Sequence, residues 1–589
     1  MKNIPQDLPS FLSILEKEGE LAHITTEVDP HLELAEVHRQ VVAKQGKCLL
    51  FHTVKGSRFP VVTNLFGTQK RVELAFPGNP ELVIKKLIEL VTERFPPSLT
   101  TLWQERHHLK RLIKIGRRHT RNAPVLACTI DPPNLEEIPL LTCWPDDGGR
   151  FMTLPLVYTE PPPPLTSPPN LGMYRIQRFD AHHTGLHFQI GKGGGFHYQQ
   201  AEQLNTPLPV TIFLGGPPAL LLSAIAPLPE NVPELLLASL LLGNKIPYAH
   251  SPGHPHPIIA SCEFAICGHA KPHIRAMEGP FGDHYGYYGL AHEYPVFNCD
   301  KIYHKKDAIY PATVVGKPVQ EDLFIGNFLQ ELFSPLIKVI MPEVKALWSY
   351  GEAGFHPLTS AIVSERYEKE ALSTAFRILG EGQLRLTKFL ILTDVPVDLR
   401  SIRAVLEAVL SRFRPERDLY IITNTANDTL DYTGPSLNLG SKAILLGLGK
   451  EERRKLPTVW HDILPRPLVK ALAFCSGCLL LQGPKYSTFE DPSSLLQHAG
   501  FANWPLLILV DDAETVGSSE LEFLWTVFTR FEPARDMYMK ETTLCHHHLS
   551  YKTPILIDAR MKPSYPKEVM ADADTIATVK QKWGFLCGA

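Results

Sequence analysis

No unbroken apolar run in this 589-residue chain is long enough to cross a bilayer. The longest run, Leu235 to Leu242, falls far short of the ~20 residues a membrane helix needs. An export signal is also lacking, because Asp7, Glu16 and Glu18 interrupt the N-terminal region where an unbroken apolar segment would stand and no small-residue cleavage site follows. Charge of one sign is missing too. Lys plus Arg is 59 against 62 Asp plus Glu, a net charge of -3, which gives no field for nucleic acid. Ten cysteines at irregular spacing exclude a disulfide framework and point to a reducing compartment. The expectation is a soluble, cytoplasmic protein, at most peripheral to a membrane. The common nucleotide and hydrolase signatures are absent as well: there is no GxSxG elbow and no GxGxxG after a strand. Gly191-Lys192-Gly193-Gly194-Gly195 lacks the upstream glycine and the Ser or Thr of a P-loop.

Length alone asks for several domains, about three or four at ~150 residues each. Phe11, Ile14 and Leu15 share one face of a helix over Asp7 to Glu16 that Gly19 ends. Short apolar runs at Cys48 to Phe51 and Pro60 to Leu65, then a helix over about Pro80 to Arg94, make residues 1–123 an N-terminal α/β domain. The basic run Lys110 to Arg121 has Leu and Ile interleaved and reads as a solvated helix or linker face. Residues 124–330 change texture. Strand-length runs at Phe151 to Tyr158, Gly172 to Arg178, Leu186 to Ile190 and Leu208 to Leu214 lie between Pro or Gly turns, as in a β-rich barrel or sandwich. The prolines of Pro161 to Pro169 hold that segment extended and deliver Asn170 from a stiff loop.

The remainder is α/β with an internal repeat, read as a C-terminal domain at 331–460 and a second copy at 461–589. Phe389 to Asp394 recurs as Leu507 to Asp512, and Arg412-Phe-Arg-Pro-Glu-Arg-Asp-Leu-Tyr420 as Arg530-Phe-Glu-Pro-Ala-Arg-Asp-Met-Tyr538, at a constant offset of 118. Leu506 stands in the second copy where the first has Lys388, so that copy reads as scaffold.

Chemistry concentrates between residues 170 and 284. Asn170 and Arg175, then Lys192, Glu234, Glu278 and Asp283 supply an amide oxygen, two cations and three carboxylates. Such a set can hold a phosphorylated group through a metal and move a proton. Singly, each has an ordinary explanation: Asn170 as a turn residue, Glu234 as a dipole partner after Pro233, and Glu278 with Asp283 as solvated ends of a glycine-rich hairpin. Functionally, two carboxyls flanking Gly279-Pro280-Phe281-Gly282 among aromatics could keep one protonated near neutral pH, since burial and a like charge both raise a carboxyl pKa. A second candidate, Cys475-Ser-Gly-Cys478 with Cys545 and His546 to His548, has zinc-type ligands but lies partly in an apolar segment that suits core cysteines.

Taken in order, Phe59-Pro-Val-Val-Thr-Asn-Leu-Phe-Gly-Thr68, Leu141-Thr-Cys-Trp-Pro145, Asn170-Leu-Gly-Met-Tyr-Arg175, Glu278-Gly-Pro-Phe-Gly-Asp-His284, Gly286-Tyr-Tyr288 and Thr387-Lys-Phe389 resemble the UbiD family of decarboxylases. The resemblance runs to about residue 460. It implies a split β-barrel in the central domain, a homo-oligomer, and prenylated FMN as cofactor, supplied by a flavin prenyltransferase. It also implies manganese on Asn170 and Glu234, with potassium as a further ion. Cofactor contacts fall on Met173, Tyr174, Arg175, His187, Phe188, Gln189, Lys192 and Gly193. Arg175, Glu278 and Asp283 would form the catalytic trio, with Asp283 as proton donor. Gly191 stands where many relatives carry a metal-binding histidine, leaving water, His187 or His197 to complete the shell. The implied substrate is an aromatic acid of a quinone pathway, a dihydroxynaphthoate on the futalosine route to menaquinone, with a polyprenyl-hydroxybenzoate of ubiquinone synthesis as the alternative. A silent flavin- or metal-binding protein is the reading from another class.

Overall fold

The computed structural model describes residues 4–77, 80–81, 84–85, 114–189, 193–228 and 232–587. Gly191, Lys192 and most of the helix expected over 80–94 lie outside them. The architecture is mixed α/β and divides into two compact units, one of residues 1–332 with 568–589 and one of 333–567.

In the first unit, the opening helix Leu8–Lys17 starts on Asp7, whose side chain accepts from Ser10 N, and buries Leu8, Phe11, Leu12 and Leu15. A four-stranded sheet follows in the order Leu21–Ile24, Cys48–Phe51, Val61–Thr63, Tyr310–Pro311. Against it packs the helix Glu33–Ala43, and on that helix lies the terminal helix Ala573–Cys587. Trp583 there is fully buried, meets Phe51 edge-on at 6.2 Å, and donates from Nε1 to Glu33 Oε1 at 2.8 Å.

Where the split barrel was expected, a seven-stranded sheet runs His183–Gly185, His292–His304, Phe264–Glu278, Leu208–Leu214, Pro155–Thr159, Asn170–Met173, with Cys128–Ile130 beside His292–His304. All its pairings are antiparallel. The strand expected over Leu186 to Ile190 instead occupies His183–Gly185, and residues 186–189 are irregular. The sheet places Asn170 at the start of an end strand and Glu278 at the end of a fifteen-residue strand, so both sit where regular pairing stops.

The second unit confirms the repeat. One five-stranded sheet runs Val344–Ser349, Leu358–Val363, Phe389–Thr393, Leu439–Gly447, Leu419–Ala426. The other runs Lys470–Cys475, Cys478–Gln482, Leu506–Val510, His548–Asp558, Met537–Cys545 in the same spatial order. Outer pairs are antiparallel and inner pairs parallel in both. The repeated corner has a physical cause. Asp418 Oδ2 accepts from Arg414 N at 3.0 Å and Asp536 Oδ2 from Glu532 N at 2.8 Å, each closing a short helix begun by proline. The two copies share one core, with Phe389 against Phe528 and Phe531 at 5.9 and 5.8 Å.

Among the described residues, one helix, Glu321–Ile340, is long and apolar enough to cross a membrane by length and composition, at a mean hydropathy of 1.3. Its first residue is tied inward, because Glu321 accepts from Phe66 N and Thr313 Oγ1.

Candidate active site

Arg175 stands at the centre of the site. Its Nε donates to Glu278 Oε1 at 2.9 Å, and its Nη1 donates to Asp283 Oδ2. The guanidinium carbon lies 5.0 Å above the Phe281 ring, and all three charged side chains are nearly or wholly buried. Residues separated by more than 100 positions thus form one cation between two carboxylates. The remaining oxygens are also engaged: Glu278 Oε2 meets His187 Nδ1 at 3.1 Å, while Asp283 Oδ1 meets His284 Nδ1 at 3.0 Å and accepts from His284 N at 2.8 Å.

This geometry corrects the expectation of a protonated carboxyl. Burial pushes both acids up, but for Asp283 the Arg175 charge and the His284 hydrogen bonds outweigh it, holding its carboxyl well below the usual range. For Glu278, burial is likewise outweighed by His187 and Arg175, and its pKa also falls. Both are carboxylates in this state, and Arg175 is held firmly protonated between them.

The loop carrying Asp283 is fixed from a neighbouring turn. Asp147 Oδ2 accepts from Cys143 N and Trp144 N, and its Oδ1 accepts from Gly282 N at 2.8 Å. Burial raises Asp147 to about 6 despite those three donors. A Cβ on Gly282 would lie 2.1 Å from Trp144 Cδ1, so only glycine lets the loop pass. On the other side, Gln177 Oε1 accepts from Gly279 N while its Nε2 donates to Gly148 O. Asp147, Gln177 and His284 were not singled out from the sequence. Asp147 and Gln177 act on partners more than 100 residues away, and the only trace in the sequence is their closeness to the Leu141 to Pro145 and Asn170 to Arg175 strings.

Asn170 and Glu234 come together through the backbone between them, since Leu171 N donates to Glu234 Oε2 at 3.0 Å. The helix Gly193–Gln203 begins beside them: a Cβ on Gly193 would lie 2.4 Å from Asn170 Oδ1, and Gly194 N approaches the Tyr174 hydroxyl at 3.4 Å. Tyr174 also packs edge-on against Phe188 at 5.3 Å. Hard oxygen donors next to a helix N-terminus, approached so closely that no side chain fits, suit a metal-linked phosphate. The residues present therefore fit a metal-held phosphate, the part of a flavin mononucleotide that they would grip. Met173 and Gln189 flank this region, and Lys192 falls outside the described residues. His197 is committed elsewhere, to Thr159 Oγ1 at 2.9 Å and Ser167 Oγ at 3.3 Å. The second candidate is not assembled: Cys475 and Cys478 pair across a buried hairpin, and Cys545 faces His548 at an exposed turn. Among the described residues no group of three or more His, Cys, Asp or Glu side chains is placed to hold a metal.

Comparison with known sequences assigns the family. The profile of the 3-octaprenyl-4-hydroxybenzoate carboxy-lyase N-terminal domain matches residues 12–91, that of its Rift-related domain 117–318, and that of its C-terminal domain 323–447. The chain belongs to the UbiD family of aromatic acid decarboxylases. An uncharacterized protein of Chlamydia caviae is 51% identical over 98% of both chains. A Chlamydia pneumoniae relative, named as one subunit of a 4-hydroxybenzoate decarboxylase, is 51% identical over 98% of this chain and 97% of its own. Among solved structures, vanillic acid decarboxylase of Sedimentibacter hydroxybenzoicus in closed form is 25% identical, with a TM-score of 0.67 over 79% of this chain and 96% of that one. The UbiD-class enzyme HmfF of Pelotomaculum thermopropionicum, solved with FMN, shares the fold at 23% identity and a TM-score of 0.62, over 78% of this chain and 97% of that one. These two structures match nearly end to end and leave about a fifth of this UbiD chain uncovered.

Proposed function

We propose that this UbiD protein removes the carboxyl group of a dihydroxynaphthoate in quinone biosynthesis, on the futalosine route to menaquinone. The observation that carries an acid substrate is the buried Arg175 fork, the cation already gripping two carboxylates at the centre of the site. Prenylated FMN, once bound, would supply the electron sink that loss of carbon dioxide from an aromatic carbon requires. Asn170 and Glu234 would hold its phosphate through manganese, with Met173, Tyr174, His187, Phe188, Gln189, Lys192 and Gly193 around it. A flavin prenyltransferase would provide the cofactor.

The protein's own residues do the rest. An incoming carboxylate competes for Arg175, and each pairing it takes removes the charge that keeps Glu278 and Asp283 ionised. Burial then drives their pKa values up, so Asp283 is able to hold and deliver the proton that replaces the lost carboxyl group. Glu278, held by His187, keeps Arg175 oriented.

The substrate assignment draws on the second α/β copy, which lies beyond the residues matched by the family profiles. The name of the Chlamydia pneumoniae relative favours a second reading, a 4-hydroxybenzoate, with or without a polyprenyl chain. Co-expression with a flavin prenyltransferase should give protein whose bound cofactor has the mass of prenylated FMN. Carbon dioxide release from dihydroxynaphthoate, 4-hydroxybenzoate and polyprenyl-4-hydroxybenzoate then separates the substrates. Wild-type activity in Asp283→Asn would overturn the proton-donor role, and recovery of no modified flavin would favour a silent binding protein.

A further inference from the structure

Each decarboxylation consumes one proton, because a carbon–carboxylate bond is replaced by a carbon–hydrogen bond, and that proton must come from water into a buried site. The trio itself meets little solvent: Glu278 is fully buried, Arg175 nearly so, and Asp283 little more exposed. Of the imidazoles bonded to the trio, His187 is also closed in, with its side chain 5% exposed and its Nε2 buried without a partner. His284 differs. Its side chain is 26% exposed, while Nδ1 lies 3.0 Å from Asp283 Oδ1, the oxygen that Arg175 does not hold.

We propose that His284 is the proton relay that recharges Asp283 from solvent. The inference rests on Asp283 being the proton donor. Asp283 gives its proton to the product carbon and becomes a carboxylate. The His284 imidazolium passes its Nδ1 proton to Asp283 Oδ1, which leaves the neutral ring protonated on Nε2. A ring flip or a water-borne tautomerisation turns a bare nitrogen to the solvent side, where the next proton is taken from water, and no other bond changes. Before substrate arrives the transfer is opposed, because Arg175 holds Asp283 ionised; a substrate carboxylate that claims the guanidinium removes that opposition, so recharging is tied to occupancy. The short span also fixes the direction: the backbone N–H of His284 binds the same Oδ1, which holds the imidazole beside the carboxylate. The groups facing this pair include Arg175 through Asp283, the adjacent Tyr285 ring at 5.1 Å, and the half-buried Asp322, whose charge acts on both His284 and Asp283.

The test uses the full-length holoprotein with dihydroxynaphthoate and 4-hydroxybenzoate, comparing wild type, His284→Gln and Asp283→Asn. In His284→Gln the first equivalent of carbon dioxide should appear at the wild-type rate, followed by steady-state turnover reduced by about 10²-fold. Imidazole added to the buffer should restore it. A readout independent of turnover comes from histidine-selective carbon-13 NMR of the full-length apoprotein: the His284 titration should shift when Asp283 is replaced by Asn. A wild-type steady state in His284→Gln, no response to imidazole, or a His284 titration indifferent to Asp283→Asn would overturn the relay. Inactive Asp283→Asn beside fully active His284→Gln overturns the relay alone, whereas active Asp283→Asn overturns the donor reading beneath it.

Discussion

Arg175 offsets two buried negative charges at once, which makes its removal more than the loss of one contact. Taking away a buried partner leaves an uncompensated charge at a cost of about 3–5 kcal/mol. In Arg175→Gln both carboxylates face that cost at neutral pH, but protonation relieves it. Because Asp283 and Glu278 have depressed pKa values in the folded protein, their stabilisation is present above the unfolded values and lost as pH falls through the folded ones. The thermal midpoints of wild type and Arg175→Gln should therefore lie far apart at pH 7.5 and converge only below about pH 4, as pH falls from the unfolded carboxyl values through the depressed folded ones. A gap that stays constant across that range would contradict the charge argument. At this scale much of the candidate site was legible beforehand: Asn170, Arg175, Glu278 and Asp283 are carried by local strings and Glu234 by its place after Pro233 at a helix start, and the fold brings them together as two groups. What the strings do not hold is the ionisation state, which depends on a guanidinium 108 positions away from Asp283, and the supporting bonds of Asp147 and Gln177 across more than 100 residues.

The repeated corner shows how one element can carry unequal weight in two copies. Asp418 and Asp536 are both buried and both cap a turn through the backbone N–H four residues earlier. Their second partners differ: Arg414, at Asp418, keeps 27% of its side chain in water, whereas Lys562, at Asp536, keeps 8%. Burial already pulls the Lys562 pKa down. Asp418→Ala should lose about 1–3 kcal/mol, the cost of an unsatisfied buried donor. Asp536→Ala also takes a carboxylate from the Lys562 ammonium, which still donates to Arg530 O and Asp558 O at 3.0 Å, and should lose more, up to about 3–5 kcal/mol. Guanidinium unfolding followed by tryptophan fluorescence orders the two, and equal losses would show that those carbonyls and Asp558 suffice for the lysine. The duplication itself was readable from the 118-residue offset because strand, helix and corner recur without gaps, and the two sheets repeat one strand order. The strand near residue 186 was misplaced because Leu186 to Gln189 hold an apolar pattern for packing around Tyr174 and Glu278, and after the bond from Leu186 N to Pro295 O at 2.9 Å no named strand continues there.

Across the whole molecule the chain ends where it began, with the terminal helix Ala573–Cys587 returning to the first unit after the second unit has been completed. Trp583 joins Phe51 and Glu33 across 550 residues, and Lys582 Nζ adds an ion pair to Glu33 at 2.7 Å. No periodicity in the sequence announces this pairing, since an amphipathic helix shows that it buries a face and leaves open which surface receives it. Truncating a buried tryptophan costs about 3–5 kcal/mol, and here the loss falls on the N-terminal sheet. With two units present, an unfolding midpoint does not say which unit has lost protection, so hydrogen exchange resolved by peptide is the measure for this question. In Trp583→Ala, protection should fall in peptides covering 21–63, 310–311 and 573–587, while those covering 389–447 and 506–558 keep wild-type exchange. A loss spread evenly over both units would mean that the terminal helix stabilises the protein by some route other than closing the first unit, and unchanged exchange at 21–63 would mean that the N-terminal sheet holds without it.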